Sequence, residues 1–592
     1  MTISLSLATS RVSGVAPLNV HFDATATTSS ETSRPFHDLD YYWDWDDDDE
    51  TYSKGKSGAV NCHVFDQPGT YNVLLSITEP DGSNLDAMVV ITVADPDTVF
   101  ATTDTICFSN DADFTGAPAG STEVTTADFD AACATYLADG KRLLFKRGDT
   151  FTASAGTTLD FNASAVSIGA FGTGTSPDIR GIFTNNPLVN VAFDGPPLRL
   201  GSTNDECLDT RVSDLEFSYT GGGTVSALTT MDWRSENLLF YRCKAAGFVT
   251  MFNLGHENPD ANAIDLNRYI CVANGDYSDL RNYGVYWSGN DTALLNNSFV
   301  RTDFSTTDHE HVLRFPVWTK LVVSGNYLEG PNDDKSTSTL RARTYATASD
   351  ISDYAVYSDN ELAVTITWAL HLGTGSSSRD ERVQNVVVER NFFNVVDSAR
   401  TQNFGTCIFT TCQHVTIRNN RFGMESNTVT EVTSIAIQQR GPGTELTPTG
   451  VSVYHNTYNS SVTWTRCYFV NATAHSGGNV PVANNVLYAP NCGDFREGVN
   501  NATATTNLTS DPTFVSPTDW RLQVGSAAIG YGTGGLVRRD SDSKLRSLTT
   551  PDAGAFELVG IDPSPADPPP ADPENQVWPA PLLGYAQPVA RP

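Results

Sequence analysis

Val386-Val387-Val388-Glu389-Arg390-Asn391 and, 29 residues on, Val415-Thr416-Ile417-Arg418-Asn419-Asn420 decide how this chain folds. Both are short apolar runs that end on asparagine. The form recurs at Leu294-Leu295-Asn296-Asn297, Val322-Val323-Ser324-Gly325-Asn326, Ala355-Val356-Tyr357-Ser358-Asp359-Asn360, Val451-Ser452-Val453-Tyr454-His455-Asn456 and Val482-Ala483-Asn484-Asn485. Counted from Asn297, successive final asparagines lie 29, 34, 31, 29, 36 and 29 residues apart. A sustained period of this length with strand rather than helix periodicity means that each repeat is one coil of a β-solenoid. Asparagine suits the end of such a run for two reasons. It tolerates the left-handed backbone that a bend needs, and its side-chain amide hydrogen-bonds the equivalent amides one coil above and below.

The composition agrees. Of 592 residues, 39% are hydrophobic, only 18% are charged and Met numbers 5, which describes a β-rich, turn-rich chain without long amphipathic helices. A chain of this length exceeds what one compact core supports, so an elongated repeat or several domains are expected. Asp and Glu number 69 against 37 Lys and Arg, a formal charge of −32, and such a field repels phosphates; nucleic acid and anionic membrane are excluded as partners. No run approaches the ~20 apolar residues of a membrane-spanning helix. The ten cysteines form no compact disulfide framework and are expected as buried small hydrophobes. Cys407 and Cys412 lack the neighbouring ligands that zinc requires, so no metal is expected at cysteine. The first ten residues carry neither the basic nor the continuous apolar stretch of an export signal. The expectation is a virion protein released by lysis, a chain recorded without its signal, or another export route.

Residues 1–95 alternate apolar and polar positions between turns, as in Leu18-Asn19-Val20-His21-Phe22 and Tyr71-Asn72-Val73-Leu74-Leu75-Ser76-Ile77, the pattern of an immunoglobulin-like β-sandwich. Gly14-Val15-Ala16-Pro17-Leu18, Tyr42-Trp43-Asp44-Trp45-Asp46, His63-Val64-Phe65 and Pro68-Gly69-Thr70-Tyr71 resemble the polycystic kidney disease (PKD) domain. The resemblance implies Trp43 as the core tryptophan and a module that acts as a spacer or weak adhesive unit. Asp46 to Asp49 stand where that family has Gly-Asp-Gly; this acidic run is a candidate for Ca²⁺, against the plainer reading of a solvated loop.

After Asp95-Pro96-Asp97, residues 96–140 are read as a linker and solenoid cap, with Ala127 to Leu137 as a capping helix. Lys141 to Asp149 and Ile168-Gly169-Ala170-Phe171-Gly172 resemble the opening coils of secreted and phage right-handed parallel β-helix (pectin-lyase-like) proteins. Asp511-Pro512-Thr513-Phe514, Gly525 to Gly530 and Pro551 to Glu557 resemble their closing segment. The resemblance implies a β-helix over 141–558. Residues 559–592 are Pro-, Ala- and Asp-rich and are expected to form an extended tail with apolar anchors at Trp578, Leu582, Leu583 and Tyr585.

Each coil also carries an earlier strand: Gly284-Val285-Tyr286-Trp287, Val312-Leu313-Arg314-Phe315, Thr339-Leu340-Arg341-Ala342-Arg343, Ala369-Leu370-His371-Leu372 and Ile435-Ala436-Ile437-Gln438. Alternation turns Leu313, Phe315, Leu340, Leu370 and Leu372 inward. Trp287, Arg314, Arg341, His371 and Gln438 are then expected to point outward in one column, with steps of 27, 27 and 30 residues from Trp287 to His371. Such a column suits an acidic polysaccharide. Arginine grips a uronate carboxylate, Trp287 stacks on a sugar ring, and His309, His311 and Lys335 lie in adjoining segments. The competing reading is that these arginines simply pair with Asp308, Glu310, Asp333 or Asp334.

The column resembles the β-helical lyases of the chondroitinase B and alginate lyase family, in which a basic residue and an arginine on successive coils act as base and acid in β-elimination. The resemblance implies that Arg341 is the family's arginine and that Arg314 lies near the position of its lysine. Arg314 or His311 would abstract the C5 proton, Arg341 would assist the leaving oxygen, and Arg343 or a cation would neutralise the carboxylate. A glycosidase with Glu310 as its acid is a further enzymatic option.

The architecture resembles phage tailspike and fibre proteins. Three functional classes are expected from it: a virion spike or fibre that recognises cell-surface polysaccharide, acidic or neutral, a secreted polysaccharide lyase, or a non-catalytic bacterial surface adhesin. The first predicts other virion structural proteins as partners and a homo-oligomer, with a trimer as the natural candidate.

Overall fold

The computed structural model describes residues 3–47 and 56–558, apart from 154–158, 162, 182–197, 201–206, 220–226, 232–234, 249, 255–266, 281–282, 302–310, 331–337, 343–350, 365–367, 374–381, 396–403, 411, 425–430, 440–446 and 474–477. The tail from 559 onward lies outside the described residues.

Three long parallel sheets dominate. Among the described residues the first has 17 strands, from Thr105–Ser109 to Ala502–Thr505; the second has 12, from Thr150–Ala153 to Val486–Tyr488; the third has 12, from Leu159–Phe161 to Cys492–Asn500. Each coil visits them in order, as in Trp318–Ser324, Tyr327–Glu329 and Ser338–Ala342. Every strand pairs in parallel with its counterpart one coil away, so the chain is a right-handed parallel β-helix. Twelve coils at about 4.8 Å each make a rod on the order of 55 Å long. The first sheet begins at Thr105, ahead of Phe129–Tyr136, a short helix with Asp128 as its N-cap and with Phe129, Ala132 and Cys133 buried in the solenoid core.

The turn from first to second sheet carries the asparagines. Asn297, Asn326, Asn360, Asn391, Asn420, Asn456, Asn485 and Asn507 stack in a buried ladder, each Nδ2 donating to the next Oδ1 at 2.9–3.1 Å. The same Oδ1 atoms accept backbone N–H groups, as in Asn360 N to Asn391 Oδ1 at 3.1 Å. The two roles expected of one asparagine are divided between neighbours. The left-handed residue is the one before the ladder: Asn296, Gly325, Asp359, Arg390, Asn419, His455 and Asn484 all have φ between 53° and 72°. The ladder residue satisfies buried polar groups and leaves the bend to its neighbour.

A second column of left-handed residues crosses the first sheet five positions earlier in each coil: Tyr269, Asp291, Lys320, Tyr354, Asn385, His414 and Gly450. Pairing skips them. Asn290 faces Thr319 and Thr292 faces Leu321, leaving Asp291 and Lys320 out of the ladder. Lysine, tyrosine and histidine are poorly suited to this conformation, which costs on the order of 1 kcal/mol each.

The N-terminal residues form a β-sandwich: a three-stranded sheet containing Leu18–Asp23 and Val60–Phe65 faces a four-stranded sheet containing Asp40–Asp44, Gly69–Thr78 and Asn84–Ala94. Trp43 is fully buried, and its ring stacks on Trp45 at 5.3 Å. The sandwich is not a detached spacer. It lies on the outer face of the first sheet, and Leu18, Val20, Val60, Cys62 and Val64 share one apolar cluster with Leu239, Cys271, Ala293, Val322, Val356 and Val387 of the solenoid. The left-handed column sits under it: Asn19 Nδ2 donates to Tyr269 O at 3.0 Å, Lys320 Nζ meets Asp23 at 2.8 Å, Phe36 packs on Tyr354 at 5.2 Å, and the His37 ring contacts Asn385 and His414.

Residues 508–558 turn back along the ladder corner. Asn484 Nδ2 donates to Thr533 O at 2.7 Å, Asn419 Nδ2 to Arg539 O at 2.8 Å, and the fully buried Arg546 donates to Asn419 Oδ1 and Glu557. Arg539 also meets Asp40 at 2.7 Å, so this closing segment touches the sandwich as well as the coils.

Candidate functional site

The middle coils of the first sheet are covered by the sandwich, and the ladder corner of the later coils by the closing segment. On the third sheet, backbone pairing aligns Tyr286, Arg314, Arg341, His371, Ile408 and Ala436 on successive coils. The alternate positions, Val285, Leu313, Leu340, Leu370, Cys407 and Ile435, fill the core. Arg314, Arg341 and His371 therefore occupy one column, each directly above the next.

Trp287 does not join it. Val285 pairs with Leu313 and Tyr286 with Arg314, so Trp287 shares the inward phase of Phe315 and is 1% exposed inside the core. The outward residue of that coil is Tyr286, and the true step to Arg314 is 28 residues. Gln438 also stands apart: it pairs with Thr410, one outward position beyond Ala436, and is half-buried. His311 is buried, with its ring centroid 6.4 Å from that of Tyr283. His371 is 7% exposed. His309, Lys335 and Arg343 lie outside the described residues, as do Asp308, Glu310, Asp333 and Asp334.

The group that takes shape around Arg314 includes two residues that sequence reasoning missed. Arg314 Nη1 donates to the Tyr283 hydroxyl at 2.7 Å, and its guanidinium carbon lies 5.6 Å from the Tyr283 ring centroid and 5.0 Å from that of Tyr286. The two rings are 5.4 Å apart and tilted by 56°. A planar cation held against two aromatic faces keeps its orientation with little conformational entropy left to lose. The signal was present in Tyr283-Gly284-Val285-Tyr286, where the phase of Val285 already sends Tyr286 outward.

Toward the C-terminal end the same sheet carries opposite charges in register: Glu431, Arg466 and Asp494 face one another on successive strands. Arg466 donates to Glu431 and Asp494 at 3.0 Å, and Arg496 adds a bond to Asp494 at 2.6 Å. The hydrogen bonds from Arg496 and Arg466 hold the Asp494 carboxyl below its usual range. This partly exposed strip is held together by its own ion pairs.

In the sandwich, Asp46 accepts from Asn72 and Asp47 pairs with His63 at 2.9 Å, while Asp48 and Asp49 lie outside the described residues. Among the described residues no group of three or more His, Cys, Asp or Glu side chains is arranged to hold a metal ion, and no helix is long and apolar enough to cross a membrane. Cys407 and Cys412 are both buried.

The fold defines a parallel β-helix, and the third sheet carries the candidate column along its side. Solved structures resemble it in fold. The GH136 lacto-N-biosidase of Eubacterium ramulus is 11% identical with a TM-score of 0.39, covering 68% of this chain and 67% of that one. The AlgE6 A-module of the Azotobacter vinelandii mannuronan C-5 epimerase is 12% identical with a TM-score of 0.39, covering 65% and 93%. The family 28 exopolygalacturonase of Yersinia enterocolitica is 11% identical with a TM-score of 0.35, covering 86% and 96%. No protein-family model matches the chain, and no curated protein is similar to it in sequence.

Proposed function

We propose that the outward face of the third sheet binds an acidic polysaccharide, with Arg314 as the carboxylate anchor, Tyr283 as the surface against which a sugar ring packs, and the buried Tyr286 as the backing that holds the guanidinium in place. The observation that carries this reading is the Arg314 guanidinium resting against a pair of tyrosine rings, with the strand positions of Arg341 and His371 stacked beside it. Guanidinium matches a carboxylate in geometry and charge, and aromatic faces pack on the C–H faces of pyranose rings. Successive coils present these groups about 4.8 Å apart, about the length of one sugar residue, so a chain laid along the rod meets one coil per sugar or nearly so. We assign the whole protein to a virion-associated spike or fibre whose rod carries this strip and which associates with other virion proteins as a homo-oligomer. An extracellular or virion location goes with that assignment.

Binding to a panel of alginate, chondroitin, polygalacturonate and neutral glucans tests the site. Saturable binding to at least one uronan, lost in R314A, is expected, and equal binding by R314A would remove the anchor. A lyase reading is favoured by the stacking of two arginine positions and a histidine position on three successive coils, a donor row able to stabilise the enolate of β-elimination. It predicts rising ultraviolet absorbance from unsaturated products on the same panel, whereas recognition alone leaves absorbance flat. Mass measurement in solution tests the spike assignment, for which a persistent monomer would be the wrong outcome.

A further inference from the structure

Two thiols meet where the sandwich lies on the solenoid. Cys62 stands on Val60–Phe65, in phase with Val60 and Val64, the residues that pack against the first sheet. Cys271 stands on Asn267–Ala273, where Ile270 and Val272 enter the solenoid core while Cys271 and Ala273 face the sandwich. Both are free and almost completely buried in one apolar cluster, near enough for the Cys271 thiol to help keep that of Cys62 protonated.

We propose that Cys62 and Cys271 form a redox-sensitive staple: a disulfide between them locks the N-terminal sandwich onto the β-helix, and its reduction leaves the two held by packing alone. The oxidant is a small-molecule disulfide such as oxidised glutathione. One cysteine thiolate attacks it, releasing the first glutathione thiolate and leaving a mixed disulfide; the second cysteine then attacks the protein sulfur of that mixed disulfide and releases the second. Two cysteine protons and two electrons leave the protein, and one glutathione disulfide becomes two thiols.

Burial, together with the contact with Cys271, raises the Cys62 thiol well above its ordinary range, so thiolate is scarce while the interface is closed. The first attack therefore requires a brief opening of the interface, and re-docking brings the sulfurs together for the second. The rate of oxidation reports how often the sandwich lifts.

Cys467 and Cys492 provide an internal comparison. They too stand close together, but on neighbouring strands of the third sheet, so a bond there leaves the sandwich free.

The test is to incubate the full-length chain with oxidised glutathione, with and without a denaturant concentration well below the unfolding midpoint, and to map disulfide-linked peptides after digestion without reduction. A linked pair containing Cys62 and Cys271 is expected, forming several-fold faster with denaturant and absent in C62S and C271S. If serine in the dry interface prevents folding, C62A keeps the site small and apolar and serves instead. After complete reaction, finding either cysteine free, capped by glutathione or joined to another cysteine would overturn the staple. So would a Cys62–Cys271 bond whose formation rate ignores denaturant, because the interface would then not gate it.

Discussion

Asn391 shows what one ladder residue does. Its Oδ1 accepts from Asn360 N and Nδ2, and its own Nδ2 donates to Asn420 Oδ1 and to the carbonyls of Tyr357 and Glu389. Asn391→Leu keeps the volume but strands several buried donors and acceptors, and should cost on the order of 3–5 kcal/mol, read as a lowered denaturant midpoint. Asn471→Ala breaks an exposed amide pair with Asn500 and should cost less than about 1 kcal/mol. In the candidate site, Arg314→Ala should weaken uronan binding by at least about tenfold, whereas Tyr283→Phe, which keeps the ring and removes only the accepting hydroxyl, should cost roughly two- to fivefold. The ladder was legible because its chemistry repeats. Trp287 was misplaced for a related reason: Leu313 and Phe315 repeat the phase of Val285 and Trp287, but a lone aromatic was weighed by what tryptophan does for sugars rather than by that phase.

At the scale of elements, the left-handed column under the sandwich was invisible in the sequence because Tyr269, Asp291, Lys320, Tyr354, Asn385 and His414 share no side-chain chemistry, only a backbone angle. Their surroundings set a pH response. Burial, reinforced by Asp23 and opposed by Lys320, raises the Asp291 carboxyl from 3.8 to about 6. A raised carboxyl contributes stability below its unfolded value that is lost as pH rises through about 4 to 6, so at neutral pH its ionised form is a cost. Asp291→Asn should therefore gain on the order of 1–3 kcal/mol at pH 7 and little at pH 4, measured by urea unfolding; asparagine also accepts the left-handed backbone. The histidines act in the opposite direction. Burial and the Arg11 charge push His21 down to about 3, and burial with Arg34 lowers His37 as well. Their contribution is complete above about 6.5 and is lost as pH falls below it, so the Asp291→Asn protein should show a steeper acid loss, up to about 1.4 kcal/mol per histidine per pH unit.

For the whole molecule, the docking of the sandwich was legible in part. Leu321-Val322-Val323, Ala355-Val356-Tyr357 and Val386-Val387-Val388 are apolar on both faces of the strand, which marks a sheet covered on both sides. Val415-Thr416-Ile417 and Val451-Ser452-Val453 return to alternation where the apolar cover ends, and there Thr416 meets His37 Nδ1 at 3.1 Å. Which segment covers those coils is a long-range fact that no local pattern carries. Removal of residues 1–94 would expose Leu239, Cys271, Ala293, Val322, Val356 and Val387 as a continuous apolar strip. The truncated chain should sediment as aggregates where the full chain stays in solution, and a well-behaved truncated species would show that the sandwich is dispensable cover.

The constant separation of the two left-handed columns also bears on how the rod can be rebuilt. From Lys320 to Gly325, Tyr354 to Asp359, Asn385 to Arg390 and His414 to Asn419 the interval is five residues, although the repeats themselves vary from 29 to 36. Length variation is therefore confined to the rest of the coil, and the segment between bends behaves as a gauge block. Whole coils cut at that segment should be exchangeable, duplicated or removed as cassettes, lengthening the rod while keeping every side chain in phase, whereas one residue added inside it would put all later coils out of step with the sandwich and the closing segment.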